Sequence, residues 1–184
     1  MTSLTAEEVL AWNDTSANRW RSLLSKHSRA LWLPCDIRGG STVADLLQHI
    51  VAAELRYAER LHGEPVTEYE DIPKATVNDI FDTHDLAFAK YRDLLENDSY
   101  EWHTDIEFTT RDGLLIASRR VILFHAMLHS IRHYAQLATL LRHAGIAADW
   151  QQDFLFTTGR LIERRVSGTR APSARMNPSA RAII

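Results

Sequence analysis

The sequence predicts an all-α protein, an antiparallel four-helix bundle with a small irregular or hairpin segment before the last long helix. Four segments repeat their apolar residues at helical spacing, and polar connections join them. Four long helices joined in this way favour a four-helix bundle. The length of 184 residues suits one domain with a buried core. We expect this domain over residues 1–163 and an arginine-rich C-terminal extension over residues 164–184.

Helix start and stop signals delimit the first three helices. A threonine followed three residues later by an acidic residue is a capping-box pattern, and it occurs at Thr5 with Glu8 and at Thr76 with Asp79. The first helix should end before Leu33-Pro34, because a proline restricts the residue preceding it. Gly63 is placed as the stop of the second helix. The predicted starts are Thr5 for the first helix, Ser41 or Thr42 for the second, and Thr76 for the third, which should run to about Glu96.

The second half of the chain begins with a different pattern. Short apolar runs flank Arg111-Asp112-Gly113, and an Asp-Gly pair between such runs indicates a hairpin. The last long helix should run from about Ser118 to Ala144, and a short fifth helix from Trp150 to Ile162. The extension has five arginines and no acidic residue. It is either poorly structured or an arm that binds an anion or a partner subunit.

Composition excludes several classes of function. A formal net charge of −3 gives no reason to expect nucleic acid or an anionic membrane as a partner. No apolar run approaches the roughly 18 residues of a membrane-spanning helix, and the N-terminus lacks a signal-peptide pattern. The single cysteine, Cys35, cannot form an internal disulfide. These observations favour a cytoplasmic protein.

The nine histidines are the main chemical clue. His129 and His133 are four residues apart in a predicted helix, so both rings lie on one face and can converge on one metal ion. Imidazole suits Zn, Ni or Fe better than Mg or Ca. A third ligand should come from a facing helix, and His49 is the best placed candidate. The alternative is a hydrogen-bonded or solvated histidine pair. The sequence has no His-Glu-x-x-His pattern, which excludes one class of zinc protease.

Three further residues are candidates for positions beside the metal. Gln136 follows His133 by three residues and lies on the same face, so it could hydrogen-bond a ligand histidine. Glu54 falls on the apolar stripe of the second helix, where it could orient a ligand, act as a base or form a structural ion pair. His125 precedes His129 by one turn; it is an alternative ligand or a core histidine.

The run from His129 to Gln136, followed by Leu140 to Gly145, resembles the last helix of the DinB-like (YfiT-like) proteins. That family has a pattern close to His-x-x-x-His-Arg-Gly-Gln, and here Tyr134-Ala135 replaces Arg-Gly. Residues 42–50 resemble the family helix that supplies the first histidine. The resemblance implies a four-helix bundle with a metal on His49, His129 and His133. The last helix is apolar on more than one face and several relatives are dimers, so we expect a homodimer.

The resemblance also implies a set of activities. Some members and distant cousins are S-transferases or isomerases that use a low-molecular-weight thiol, such as bacillithiol, mycothiol or glutathione. We therefore expect a small-molecule substrate and a metal-dependent enzyme, either a thiol S-transferase or a hydrolase. A non-catalytic metal-binding or dimeric interaction protein on the same fold is the second reading.

Overall fold

The computed structural model describes residues 4–37, 40–110 and 113–159. Four long helices dominate it, and a two-stranded antiparallel hairpin precedes the last of them. Among the described helices, none combines the length and hydropathy needed to cross a membrane. The elements in chain order are α1 (Ala6–Lys26), α2 (Val43–His62), α3 (Val77–Glu96), β1 (Asp105–Thr110), β2 (Gly113–Ser118), α4 (Arg119–His143) and the four-residue α5 (Leu155–Thr158).

Side-chain caps explain why the long helices begin where they do. At the start of α2, Thr42 Oγ1 accepts a hydrogen bond from the Asp45 amide, and the Asp45 carboxylate accepts one from the Thr42 amide. These bonds satisfy amides that have no partner within the helix. The starts predicted for the four long helices are thus confirmed. Equivalent capping boxes are formed by Thr5 with Glu8 at α1 and by Thr76 with Asp79 at α3.

The helical structure ends before Leu33-Pro34, as predicted, but only its first part is an α-helix. Helix α1 ends at Lys26, and a 3-10 helix follows over Ser28–Trp32. The predicted fifth helix is reduced to α5, and residues 160–162 of that prediction lie outside the described residues. The arginine-rich extension, residues 164–184, also lies outside them.

The long helices pack so that each lies beside two others. Helices α1 and α2 each contact both α3 and α4. Their apolar side chains form two buried clusters at opposite ends of the helices. On every long helix a fully buried polar side chain lies where one cluster gives way to the other. These side chains are Asn13, Glu54, His84 and Ser130, each at most 1% exposed.

The centre of this polar layer is an ion pair between Glu54 and His84. His84 Nδ1 lies 2.8 Å from Glu54 Oε2, and its Nε2 lies 3.5 Å from Asp14 Oδ1. Burial alone would lower the pKa of His84, but the charges and hydrogen bonds of Glu54 and Asp14 raise it to about 9. Arg92 in turn pairs with Asp14. Three roles were considered for Glu54: orienting a ligand, acting as a base and forming a structural ion pair. Its contact with His84 corresponds to the structural ion pair.

The hairpin lies against α2. Side chains alternate along β1, so that Ile106, Phe108 and Thr110 are half-buried and their neighbours are exposed. The Phe108 ring meets the Tyr57 ring of α2 edge to face, with centroids 6.0 Å apart. The predicted hairpin is confirmed, although residues 111 and 112 of its turn lie outside the described residues. The hairpin thereby forms a wall above α2.

Candidate metal centre

Three histidines from two helices converge at one point. His49 on α2 and His129 and His133 on α4 each offer a nitrogen, and these atoms all lie within 4.8 Å of one another. The ring centroids are 4.8 Å apart for His49 and His129, 4.9 Å for His49 and His133, and 4.4 Å for His129 and His133. Within the described part of the chain, these three residues form the one cluster of potential ligands that can surround an ion.

The local sequence and the packing together create this cluster. The spacing of His129 and His133 places both rings on one face of α4, one turn apart. Helix α2 packs along α4 and brings His49 to that face. Buried neighbours fix the position of each backbone, since Gln48, Ile50 and Ser130 are at most 4% exposed. The cluster therefore rests on rigid helices rather than on loops.

Burial keeps the three clustered imidazoles in their neutral form. Burial and the neighbouring imidazoles lower the pKa of His129 to about 3, and burial lowers the pKa of His133 to about 4. Burial also lowers the pKa of His49. All three rings are thus neutral at pH 7, which is the form that binds metals.

The spacing of the nitrogens fits a metal ion as well. His129 Nε2 and His133 Nε2 are 3.2 Å apart. Nitrogens that each lie about 2.1 Å from a tetrahedral ion are roughly 3.4 Å apart, so the two rings need little adjustment. The donor set, three imidazoles, matches that of catalytic zinc sites with an open fourth position. The residues present could therefore hold a metal ion.

Gln136 orients one of the three rings. His133 Nδ1 lies 2.6 Å from Gln136 Oε1, and because an amide oxygen only accepts, Nδ1 carries the hydrogen. This leaves the lone pair of His133 on Nε2, the atom that faces His129. Arg132 Nη2 donates to the same Nε2 at 3.1 Å, so an incoming metal must displace this exposed side chain.

The remaining candidates lie outside the cluster. His125 is exposed, and its ring centroid is 5.7 Å from that of His129 and 5.3 Å from that of Tyr57. His125 is therefore not buried in the core, and its ring lies beside that of His129. Glu54 hydrogen-bonds His84 and none of the three clustered histidines. A role for Glu54 in orienting a ligand thus has no contact to support it.

A cleft of about 320 Å³ opens beside the cluster. His49 and His129 form part of its wall, and Tyr57 and Phe108 supply aromatic surface. Arg56 and Arg60 also line it, and no aspartate or glutamate does so among the described residues. Sequence analysis missed these two arginines, although their spacing from His49 on one helix was a signal that could have identified them.

The comparisons with known proteins place the chain in a family. The model of the DinB family matches residues 1–163. No curated protein matches the sequence. The match spans the four long helices, the hairpin and all three clustered histidines, which is most of the chain. On this evidence the chain belongs to the DinB family.

Proposed function

We propose that this protein is a metal-dependent enzyme that binds one divalent transition-metal ion, Zn, Ni or Fe, on His49, His129 and His133. The observation that carries the proposal is the convergence of three neutral imidazoles beside an open cleft. We further propose that the four long helices form an antiparallel four-helix bundle of the DinB/YfiT type. The supporting observation is that each long helix lies beside two others.

The chemistry follows from the donor set. A divalent ion held by three neutral histidines lowers the pKa of a thiol or water bound at its open position, and so supplies a thiolate or hydroxide at neutral pH. Gln136 holds His133 in the required tautomer. The cleft offers a small substrate space next to His49 and His129. We propose S-transfer from a low-molecular-weight thiol as the reaction, with hydrolysis as the alternative use of the same site.

A non-catalytic role would need a different surrounding. Structural zinc sites are closed by a fourth protein ligand, whereas catalytic sites keep one position open. In residues 4–37, 40–110 and 113–159 the cluster contains three ligand residues, and two of them border the cleft. This arrangement favours the enzyme over the structural metal site.

The test is a pair of rate measurements on metal-loaded protein. Glutathione, bacillithiol and mycothiol are each incubated with 1-chloro-2,4-dinitrobenzene; the thiol sulfur bonds to the ring carbon, chloride leaves with the electron pair, and the thiol proton passes to solvent. Hydrolysis of 4-nitrophenyl acetate tests the alternative. We expect acceleration that disappears in metal-free protein and in His129→Ala. Metal-loaded protein without either activity would contradict the enzyme proposal.

We also propose that the protein is a homodimer. Helix α4 carries apolar side chains on the face away from its core, with Val121 54% and Leu128 51% exposed. Exposed apolar surface of this kind is typical of a subunit contact. Sedimentation velocity should give the mass of a dimer, and Leu128→Glu should give that of a monomer. A monomeric wild-type protein at micromolar concentration would contradict this proposal.

A further inference from the structure

We infer that the cleft beside the three histidines binds an oxyanion, a carboxylate or phosphate carried by a small organic compound, through Arg56 and Arg60. As a statement about the substrate, this inference rests on the proposed function. As a statement about binding, it rests on the geometry and charge of the cleft alone.

The two arginines lie on the same strip of α2 as His49. They follow it by seven and eleven residues, which places them roughly 10 Å and 16 Å further along the axis. Because each residue turns the helix by about 100°, both point within about 20° of the direction of His49. A ligand lying along this strip reaches the histidine cluster with one end and the arginines with the other.

Arg56 and Arg60 have no carboxylate in direct contact within the described part of the chain. Other arginines there do have carboxylate partners, such as Arg21 with Asp82 and Arg92 with Asp14. Within residues 4–37, 40–110 and 113–159, no acidic residue lines the cleft, and neither Arg56 nor Arg60 forms an ion pair. The Nε of Arg56 is buried without a hydrogen-bond partner. An unpaired guanidinium group in a concave site is a preferred partner for carboxylate or phosphate.

Glu59, the acidic residue between them on α2, is engaged elsewhere. Its two carboxylate oxygens accept hydrogen bonds from Thr67, one from the amide at 2.8 Å and one from the hydroxyl at 2.6 Å. Burial lowers the pKa of Arg60, the positive charge of Arg56 lowers it further, and the charge of Glu59 offsets these effects only in part. An anion bound between the two guanidinium groups would offset the cost of burying Arg60 and the repulsion between Arg60 and Arg56.

The site is also organised before any ligand arrives. Arg60 Nη1 donates to the Arg56 carbonyl at 3.2 Å, and its guanidinium carbon lies 5.5 Å from the Tyr57 ring centre and 5.1 Å from that of Phe108. These cation–π contacts hold the side chain in place. The same rings give the organic part of a ligand an apolar surface, and about 320 Å³ suits a small molecule.

Isothermal titration calorimetry on the full chain tests the inference. The probes are phenylacetate for a carboxylate, phenyl phosphate for a phosphate and benzyl alcohol as the neutral analogue. Each is titrated into metal-free and zinc-loaded protein at low ionic strength, where charge pairing is least screened. The test variant is Arg56→Gln/Arg60→Gln. The control is Arg29→Gln/Arg142→Gln, which has the same net charge and alters exposed arginines outside the cleft.

At least one anionic probe should bind more tightly than benzyl alcohol, and the cleft variant should weaken it at least tenfold while the control leaves it unchanged. Arg56→Lys/Arg60→Lys should bind with intermediate affinity, because lysine keeps the charge and loses the planar fork. Equal affinity in the cleft variant and the control overturns the inference, as does equal affinity for benzyl alcohol. Zinc content should be unchanged in the cleft variant, so a failure of anion binding is distinguishable from a failure of the metal site.

Discussion

Replacing Gln136 by alanine is expected to weaken metal binding about tenfold. The Gln136 side chain accepts the hydrogen of His133 Nδ1 at 2.6 Å and so holds the lone pair of Nε2 towards His129. Loss of such a partner costs about 10- to 100-fold in metal affinity. Gln136 is exposed, so water can take its place as acceptor, and we expect the lower end, about 1.4 kcal/mol.

The assay is a competition titration of zinc between the protein and a chromogenic chelator. Gln136→Glu should keep or increase the affinity, because a carboxylate accepts the same hydrogen bond and adds negative charge near the cation. Thr139→Ala is the control, since it alters an exposed residue one turn further along α4. If Gln136→Ala binds zinc within twofold of wild type, or if Thr139→Ala is weakened equally, the assigned role of Gln136 is refuted.

Three further predictions concern the buried ion pair, the charge beside the ligand nitrogens and the start of α2. In urea unfolding, metal-free protein should lose about 3 kcal/mol of unfolding free energy between pH 6 and pH 10. The reason is that the pKa of His84 is about 9 in the folded protein and 6.5 in the unfolded chain. The stabilisation is complete below pH 6.5 and is lost as the pH rises through 9. Arg132→Gln should tighten zinc binding several-fold in the competition titration, because it removes a positive charge 3.1 Å from a ligand nitrogen. Asp45→Ala should lower the unfolding free energy by about 1–2 kcal/mol in urea, because it removes a helix cap. Since the hydrogen bond from Lys74 lowers the pKa of Asp45 to about 2, this difference should fade as the pH drops from 4 to 2.

Each of these predictions has a control. The double variant Glu54→Gln/His84→Gln should not show the loss of unfolding free energy between pH 6 and pH 10. If it loses the same amount, about 3 kcal/mol, as wild type, the prediction for the buried ion pair is contradicted. Arg142→Gln, an exposed change on α4, should leave zinc affinity unaltered. The control for Asp45→Ala is Asp93→Ala, which removes an exposed carboxylate that caps no helix. A comparable loss of unfolding free energy in Asp93→Ala would rule out capping as the cause.

Local signals in the sequence located the helix starts because capping depends on residues three apart. Thr42 and Asp45 can satisfy each other's amides whatever the rest of the chain does. The change from α-helix to 3-10 helix after Lys26 was not predicted, because no glycine or proline marks it. The chain leaves α-helical geometry at His27, whose φ is −128°, and continues as a 3-10 helix. Pro34 restricts only the residue before it, so it could not locate that end.

The candidate site was predictable only in part, for a physical reason. Helical periodicity places His129 beside His133, but it does not specify how α2 is rotated against α4. That register depends on side-chain packing between helices, so the residues alone gave His49 only as a candidate, and the family resemblance supported its convergence with the other two. The partner of Glu54 is on α3, thirty residues away, and no local pattern indicates it.

The position of His125 was also not predictable from helical spacing alone. Its spacing from His129 is the same as that of His133, so the sequence could not decide between the two as ligands. In the structure the helix carries His125 one turn away from the cluster, towards Tyr57 and the open cleft. The position of the hairpin and the cleft, which exposes His125, depends on contacts between distant parts of the chain.

The central claim is that His49, His129 and His133 hold one divalent metal ion. Elemental analysis tests it most directly, on protein purified without a histidine tag and reconstituted with Zn, Ni or Fe. We expect about one equivalent per chain in wild type and in a His103→Ala/His143→Ala control, and none in His129→Ala/His133→Ala. Wild-type protein that retains no metal after reconstitution, or a His129→Ala/His133→Ala variant that retains a full equivalent, would contradict the claim.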